Sequence, residues 1–155
     1  MSDSYRFDAI IIGAGIVGLA IAQRLSKNFD SILLVEKEES FGRHVSSRNS
    51  EVIHSGIYYP QNSLKARLCI AGNKMLVDFA RKYAIHHKIC GKLVVISDPS
   101  DKDKLESLME NGIKNGVEGL KFLTNEEVSK QEPHIKSAGA LWVPTAGIID
   151  SHAVM

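Results

Sequence analysis

A run of aliphatic residues that meets three closely spaced glycines, and then becomes a segment with small and apolar faces, leaves few folds open. Residues 10–25 read IIIGAGIVGLAIAQRL. Phe7 to Ile12 is short, apolar and β-branched, which is the pattern of a buried parallel strand. Gly15 to Lys27 reads as a helix, with Ile16, Leu19, Ala20 and Ala22 available to lie on a sheet. Ser31 to Glu36 (SILLVE) is a second apolar strand. Strand, glycine turn, helix and strand within about thirty residues make a βαβ unit.

Gly13, Gly15 and Gly18 form GxGxxG between that first strand and the helix. In such a turn the first glycine permits a tight bend and the second lets main chain approach a diphosphate. The third lets helix and strand pack closely. The helix N-terminus adds unpaired N–H groups and a partial positive charge. Glu36 closes the second strand, where a carboxylate can accept hydrogen bonds from adenosine ribose hydroxyls and disfavours a 2′-phosphate, and with it NADP. The plainer alternative is that the glycines serve only the bend.

The chain has 155 residues, of which 44% are hydrophobic and 24% charged, enough for a packed core of ordinary composition. A net charge of +1 gives no reason to expect nucleic acid as a partner. Cys69 and Cys90 are the only cysteines. They make neither a disulfide framework nor a zinc site, and no metal site is expected. The start, MSDSYRFDA, has no apolar core of a secretory signal. No apolar run approaches the about 20 residues of a membrane span. A cytoplasmic location, in contact with the inner membrane at most peripherally, is the expectation.

Beyond Glu36 the chain continues as loop and helix, and near His86 its character shifts from βαβ to a strand-helix-strand mixture, which places a domain boundary there. Residues 37–50 read as a loop rich in Gly and Ser, and residues 51–59 as a short extended piece. Leu64 to Tyr83 has helical spacing of Leu68, Ala71, Met75, Leu76 and Phe79. His87 to Ser97 reads as strand, turn at Gly91, strand, and Asp101 to Asn115 as a charged helix with Gly116 at its C-cap. Thr124 and Glu127 have capping-box spacing for a short helix to Lys130. Ala138–Val143 and Gly147–Asp150 alternate like paired strands around Pro144. His86 and His87 would point opposite ways in a strand, and His134 and His152 stand alone. Tyr58, Tyr59, Lys65 and Arg67 read as packing or solvated residues.

The stretch GRHVSSRNSEVIHSGIYYPQNSLKARLC, residues 42–69, says more than its composition. With IIGAGIVGLAIA, VEKE, CGKLVV and GIIDSH it resembles the FAD-dependent oxidoreductases of the D-amino-acid oxidase superfamily. Within that group it is similar to the L-2-hydroxyglutarate dehydrogenase/oxidase branch. The resemblance implies an α/β fold: a Rossmann-like FAD-binding βαβ unit followed by the beginning of a mixed α+β substrate domain. The division implied is residues 1–85 for the FAD-binding part, 86–150 for the start of the substrate domain, and 151–155 for a return toward the FAD domain. Members of the family are considerably longer, so an N-terminal, truncated fragment is expected.

The same resemblance implies FAD, bound non-covalently, with Gly13, Gly15 and Gly18 at the diphosphate and Glu36 at the ribose. Lys37, His44, Ser46, Ser47, Arg48, Asn49 and Ser50 are the further cofactor-binding residues it implies. Ser55 and Gly56 would lie near the isoalloxazine ring with His54, the candidate catalytic residue. His54 is open to three readings: a base for the substrate hydroxyl, a stabiliser of reduced flavin, or a histidine that only packs. Many relatives have glycine where this chain has Glu51, whose carboxylate is expected to point away from the flavin. The implied reaction is oxidation of a small-molecule 2-hydroxy acid to the 2-oxo acid, with a quinone or oxygen as electron acceptor and a second chain supplying the missing half. The alternatives are an amine or amino-acid oxidase of the same superfamily and a non-catalytic nucleotide-binding remnant.

Overall fold

A computed structural model describes residues 4–155. The first apolar run forms β1 (Ala9–Ile12), and SILLVE forms β2 (Ile32–Val35), joined by helix α1 (Ile16–Leu25). The strands run parallel with Ile11 opposite Leu34, as a strand–helix–strand crossover allows. Gly15 takes the N-cap position of α1. The expectation of a buried strand fails for part of β1: Ile10 is 59% and Ile12 89% exposed. The sheet here is only two strands wide, and no residue of α1 is fully buried. Two strands and one helix cannot enclose both faces of an aliphatic strand.

The chain divides into two compact units. The first holds the residues up to Glu51 together with Asp150–Met155, and the second holds Val52–Ile149. In the first unit a 3₁₀ turn at Val45–Ser47 and the short helix α5 (Ser151–Val154) accompany the βαβ unit. Asp150 caps α5 by accepting from the Ala153 N–H. Residues 52–85, grouped with the first domain in the sequence, belong with the second unit. β3 (Val52–Ile53) pairs with β8 (Gly147–Ile149), and helix α2 (Leu64–Lys82) buries Ala66, Val77 and Ala80.

The second unit contains two antiparallel three-stranded sheets. One has the order β3-β8-β4, with β4 at His87–Lys88. The other has the order β5-β7-β6, from Lys92–Ile96, Gly139–Val143 and Lys121–Leu123. The strands expected on either side of Gly91 therefore lie in different sheets, and so do those around Pro144. β7 is the centre of its sheet, with both edges taken by β5 and β6, so it has no edge left for β8.

Period-two alternation places the core. Leu141 and Val143 of β7 join Val94 and Ile96 of β5 on one face, packed with Ile57, Leu105 and Val117. Ala140 and Trp142 join Leu93 and Val95 on the other, packed with Leu123 and Val128. Helix α3 (Lys102–Asn115) ends at Gly116, which has φ +87°. Helix α4 (Asn125–Gln131) starts with both bonds of the capping box, Glu127 N–H to Thr124 Oγ1 at 3.2 Å and Thr124 N–H to Glu127 Oε2 at 2.8 Å. Among the described residues, no helix is long and apolar enough to cross a membrane.

Candidate cofactor site

The glycine turn is built as its residue types demand. Gly13 has φ +101°, a conformation L side chains rarely adopt, and its N–H donates to Val35 O at 2.7 Å. A Cβ at Gly18 would sit 1.9 Å from Gly13 O, so only glycine lets the helix start so close to the turn. A Cβ at Gly15 would stand 3.2 Å from Ser46 Oγ, the hydroxyl that accepts from the Ile16 N–H at 2.9 Å. Among the described residues the N–H groups of Gly15, Val17 and Gly18 have no acceptor. Nothing lies within 4 Å of where a Gly13 Cβ would be. Open main-chain donors at a helix N-terminus, with space beside them, are what a diphosphate requires.

Glu36 faces this turn. Its Oε2 accepts from the Ala14 N–H at 2.7 Å, and its Oε1 from the N–H groups of Lys37 and Glu38 at 2.8 and 3.1 Å. These bonds hold its carboxyl below the usual carboxylate range, the Ala14 N–H contributing most. Two carboxylate oxygens offer about four acceptor sites, so Oε2 keeps room for a hydroxyl.

The remaining loop residues arrange themselves mostly around one another. His44 Nε2 lies 2.9 Å from Glu38 Oε1, and the Lys37 ammonium lies 3.4 Å from the same oxygen. The Glu38 carboxyl is held low chiefly by the His44 bond. Ser47 Oγ donates to His44 O at 3.3 Å, and the Arg48 N–H to Val45 O at 3.1 Å, while the Arg48 and Ser50 side chains are exposed. Asn49 Nδ2 donates to Ser46 O at 2.8 Å, and Asn49 Oδ1 accepts from the Glu51 N–H at 2.8 Å. Glu51 has φ +56°, a position that favours glycine. Its Oε1 accepts from both the N–H and the hydroxyl of Ser151, at 3.0 and 2.8 Å. The structure thus brings Gly13, Gly15, Gly18, Glu36 and Ser46 to one corner, with Lys37 and His44 gathered on Glu38.

His54, Ser55 and Gly56 fall in the second unit. Ser55 is 3% exposed and Gly56 is buried, whereas the His54 side chain is exposed. No hydrogen-bond partner meets the His54 ring among the described residues. The His54 carbonyl accepts from Asn73 Nδ2 at 3.0 Å and from Cys69 Sγ at 3.5 Å. Burial pushes the Cys69 thiol up. Tyr58 carries the Lys92 ammonium 4.4 Å from its ring centroid, and Tyr59 carries that of Lys65 at 4.6 Å. Sequence reasoning missed Asn73, Asn111 and Asn115, whose amides bond the carbonyls of residues 54–59. The available signal was the four-residue spacing of Asn111 and Asn115 on α3, where asparagine is a poor helix former.

The sequence matches the DAO family, FAD dependent oxidoreductase, over residues 8–155. It is 45% identical over 150 residues to the mitochondrial L-2-hydroxyglutarate dehydrogenase of Arabidopsis thaliana, covering 97% of this chain and 31% of that protein. The human protein of the same name is 41% identical over 150 residues, covering 96% of this chain and 32% of its own length. The chain therefore spans about a third of the length of these curated relatives. Among solved structures, FAD-bound L-α-glycerophosphate oxidase from Mycoplasma pneumoniae superposes with a TM-score of 0.88 at 29% identity, covering 97% of this chain and 41% of that one. The cofactor of the family is FAD, which the open N–H groups of the Gly13–Gly18 corner and the Glu36 carboxylate fit. This chain belongs to the DAO family of FAD-dependent oxidoreductases.

Proposed function

We propose that this chain supplies the FAD-binding portion of an oxidoreductase that oxidises a 2-hydroxy acid of the L-2-hydroxyglutarate type to its 2-oxo acid. The observation that carries the cofactor half is the corner at Gly13–Gly18, where the N–H groups of Gly15, Val17 and Gly18 lack acceptors among the described residues, beside Glu36. What supports the substrate half is the 45% identity to an L-2-hydroxyglutarate dehydrogenase. Solved amine oxidases, such as glycine oxidase from Geobacillus kaustophilus at 21% identity, share the fold alone.

In this reading the α1 N-terminus and the main chain at Gly15 hold the diphosphate, and Glu36 accepts from the ribose. Ser46, Ser47, Asn49 and Ser50 offer hydroxyl, amide and main-chain donors along the cofactor, with Lys37, His44 and Arg48 supplying positive charge. Bound FAD supplies the acceptor for the hydride that leaves the substrate α-carbon. His54 takes the substrate hydroxyl proton at a ring nitrogen, and its exposed imidazole, without a partner among the described residues, is available to do so. Ser55 and Gly56 bring main chain to the ring. The proposed electron acceptor of the whole protein is a quinone or oxygen. The rest of the substrate domain comes from chain beyond these residues, in the same or a second polypeptide.

The test is anaerobic mixing of the FAD-loaded protein, with the remaining part present, with candidate substrates. L-2-hydroxyglutarate is expected to bleach the flavin absorbance while glycine and sarcosine leave it unchanged. Bleaching by the amines and not by the hydroxy acid would overturn the reading.

A further inference from the structure

The segment His54–Tyr59 is irregular, yet Ser55, Gly56 and Ile57 are buried. A buried loop has no ladder partner for its carbonyls, and an unpaired buried carbonyl is costly. Here the partners are side-chain amides. Asn73 on α2 donates to His54 O at 3.0 Å and to Thr145 O at 2.9 Å. Asn111 on α3 donates to Ile57 O at 2.8 Å and Tyr59 O at 3.0 Å. One turn later, Asn115 donates to Gly56 O at 3.2 Å and Tyr59 O at 2.8 Å. An asparagine amide has two hydrogens, and each of the three spends both on main-chain carbonyls.

We infer that Asn73, Asn111 and Asn115 are positioning residues that fix the main chain of the His54–Tyr59 segment for its cofactor. This rests on the reading that the His54–Gly56 segment faces the flavin ring. The clamp acts on carbonyls alone. Among the described residues the imidazole of His54 has no partner, and of the segment's N–H groups that of Tyr59 is spent on Gly56 O at 3.4 Å, while those of His54 to Tyr58 have no acceptor. A regular strand could not do this, because its ladder would consume N–H and carbonyl groups alike. Aspartate is the discriminating replacement: it keeps the shape of asparagine and, ionised, has no hydrogen to donate.

The test uses the full chain, with Asn111→Asp and Asn115→Asp combined, and Asn73→Asp as a separate variant should the double variant fail to fold. Two quantities are measured: amide hydrogen exchange residue by residue, and affinities for FAD and for ADP. Exchange at Tyr59, whose N–H bonds Gly56 O, and at the buried Gly56 and Ile57 in the double variant, or at the buried Ser55 in Asn73→Asp, is expected to accelerate about tenfold or more, as loss of hydrogen bonds to a buried loop implies. Amides of Leu141 and Val143 are expected to keep their protection. FAD affinity is expected to fall about tenfold while ADP affinity stays constant, because ADP lacks the ring. Unchanged exchange in the segment would overturn the clamp. Accelerated exchange with unchanged FAD affinity would overturn its positioning role. A parent chain that binds ADP as tightly as FAD would refute the placement of the flavin at this segment, while the exchange data would still judge the clamp itself.

Discussion

Gly15 and Ser46 leave little room at the helix N-terminus: the hydroxyl stands 3.2 Å from where a Cβ would be built. Gly15→Val is therefore expected to abolish detectable FAD binding while circular dichroism stays close to that of the parent. Stoichiometric flavin retained by that variant would contradict the assignment. Glu36 makes a second prediction through pH. Its folded carboxyl titrates below the ordinary value because the N–H groups of Ala14, Glu38 and Lys37 favour the anion. A group shifted this way stabilises the folded turn above the unfolded value, and that stabilisation is lost as pH falls through the folded one. The Ala14 amide resonance is expected to hold steady through the range where an ordinary glutamate titrates and to move only at more acid pH. Glu36→Gln should remove that transition and weaken ADP binding about tenfold, the scale of a lost charge-assisted hydrogen bond.

Helices and strands were legible wherever a local signal decided them. Thr124 and Glu127 announced α4, and both capping bonds form. Thr124→Ala is expected to lower stability by about 1 kcal/mol in urea denaturation. Pairing was less legible, because alternation marks a strand without naming its neighbour. Ala138–Val143 and Gly147–Asp150 read as mates around Pro144, yet β7 pairs with β5 and β6. The reason lies in burial: Leu141 and Val143 are buried on one face and Ala140 on the other, and a strand with two apolar faces takes the centre of a sheet. Leu141→Ala is expected to cost about 2–5 kcal/mol, far more than the cap, by opening a cavity among Ile57, Leu105 and Val117. The asparagines were illegible for a different reason. Asn115 precedes Gly116 and reads as a helix end, and nothing local reports that its amide meets Gly56, more than fifty residues away.

At the scale of the molecule, the glycine corner could be read from the sequence because its chemistry is contiguous, with Gly13, Gly15 and Gly18 within six residues and Glu36 at the end of the next strand. The exposed flanks of β1 could not, since apolarity in the sequence does not say how wide the sheet is. Ile10, Ile12, Val17 and Val35 stand 59%, 89%, 69% and 43% exposed in this unit. The isolated chain is expected to enhance the fluorescence of an apolar-surface dye, and Ile12→Lys to reduce it. The central claim is that the adenosine diphosphate of FAD lies on the main chain at the start of α1, with Glu36 beside its ribose. Competition against bound FAD tests it most directly. ADP, which carries the gripped half, is expected to displace FAD, and FMN, which lacks it, is expected to fail at the same concentration. Displacement by FMN with no effect of ADP would contradict the claim.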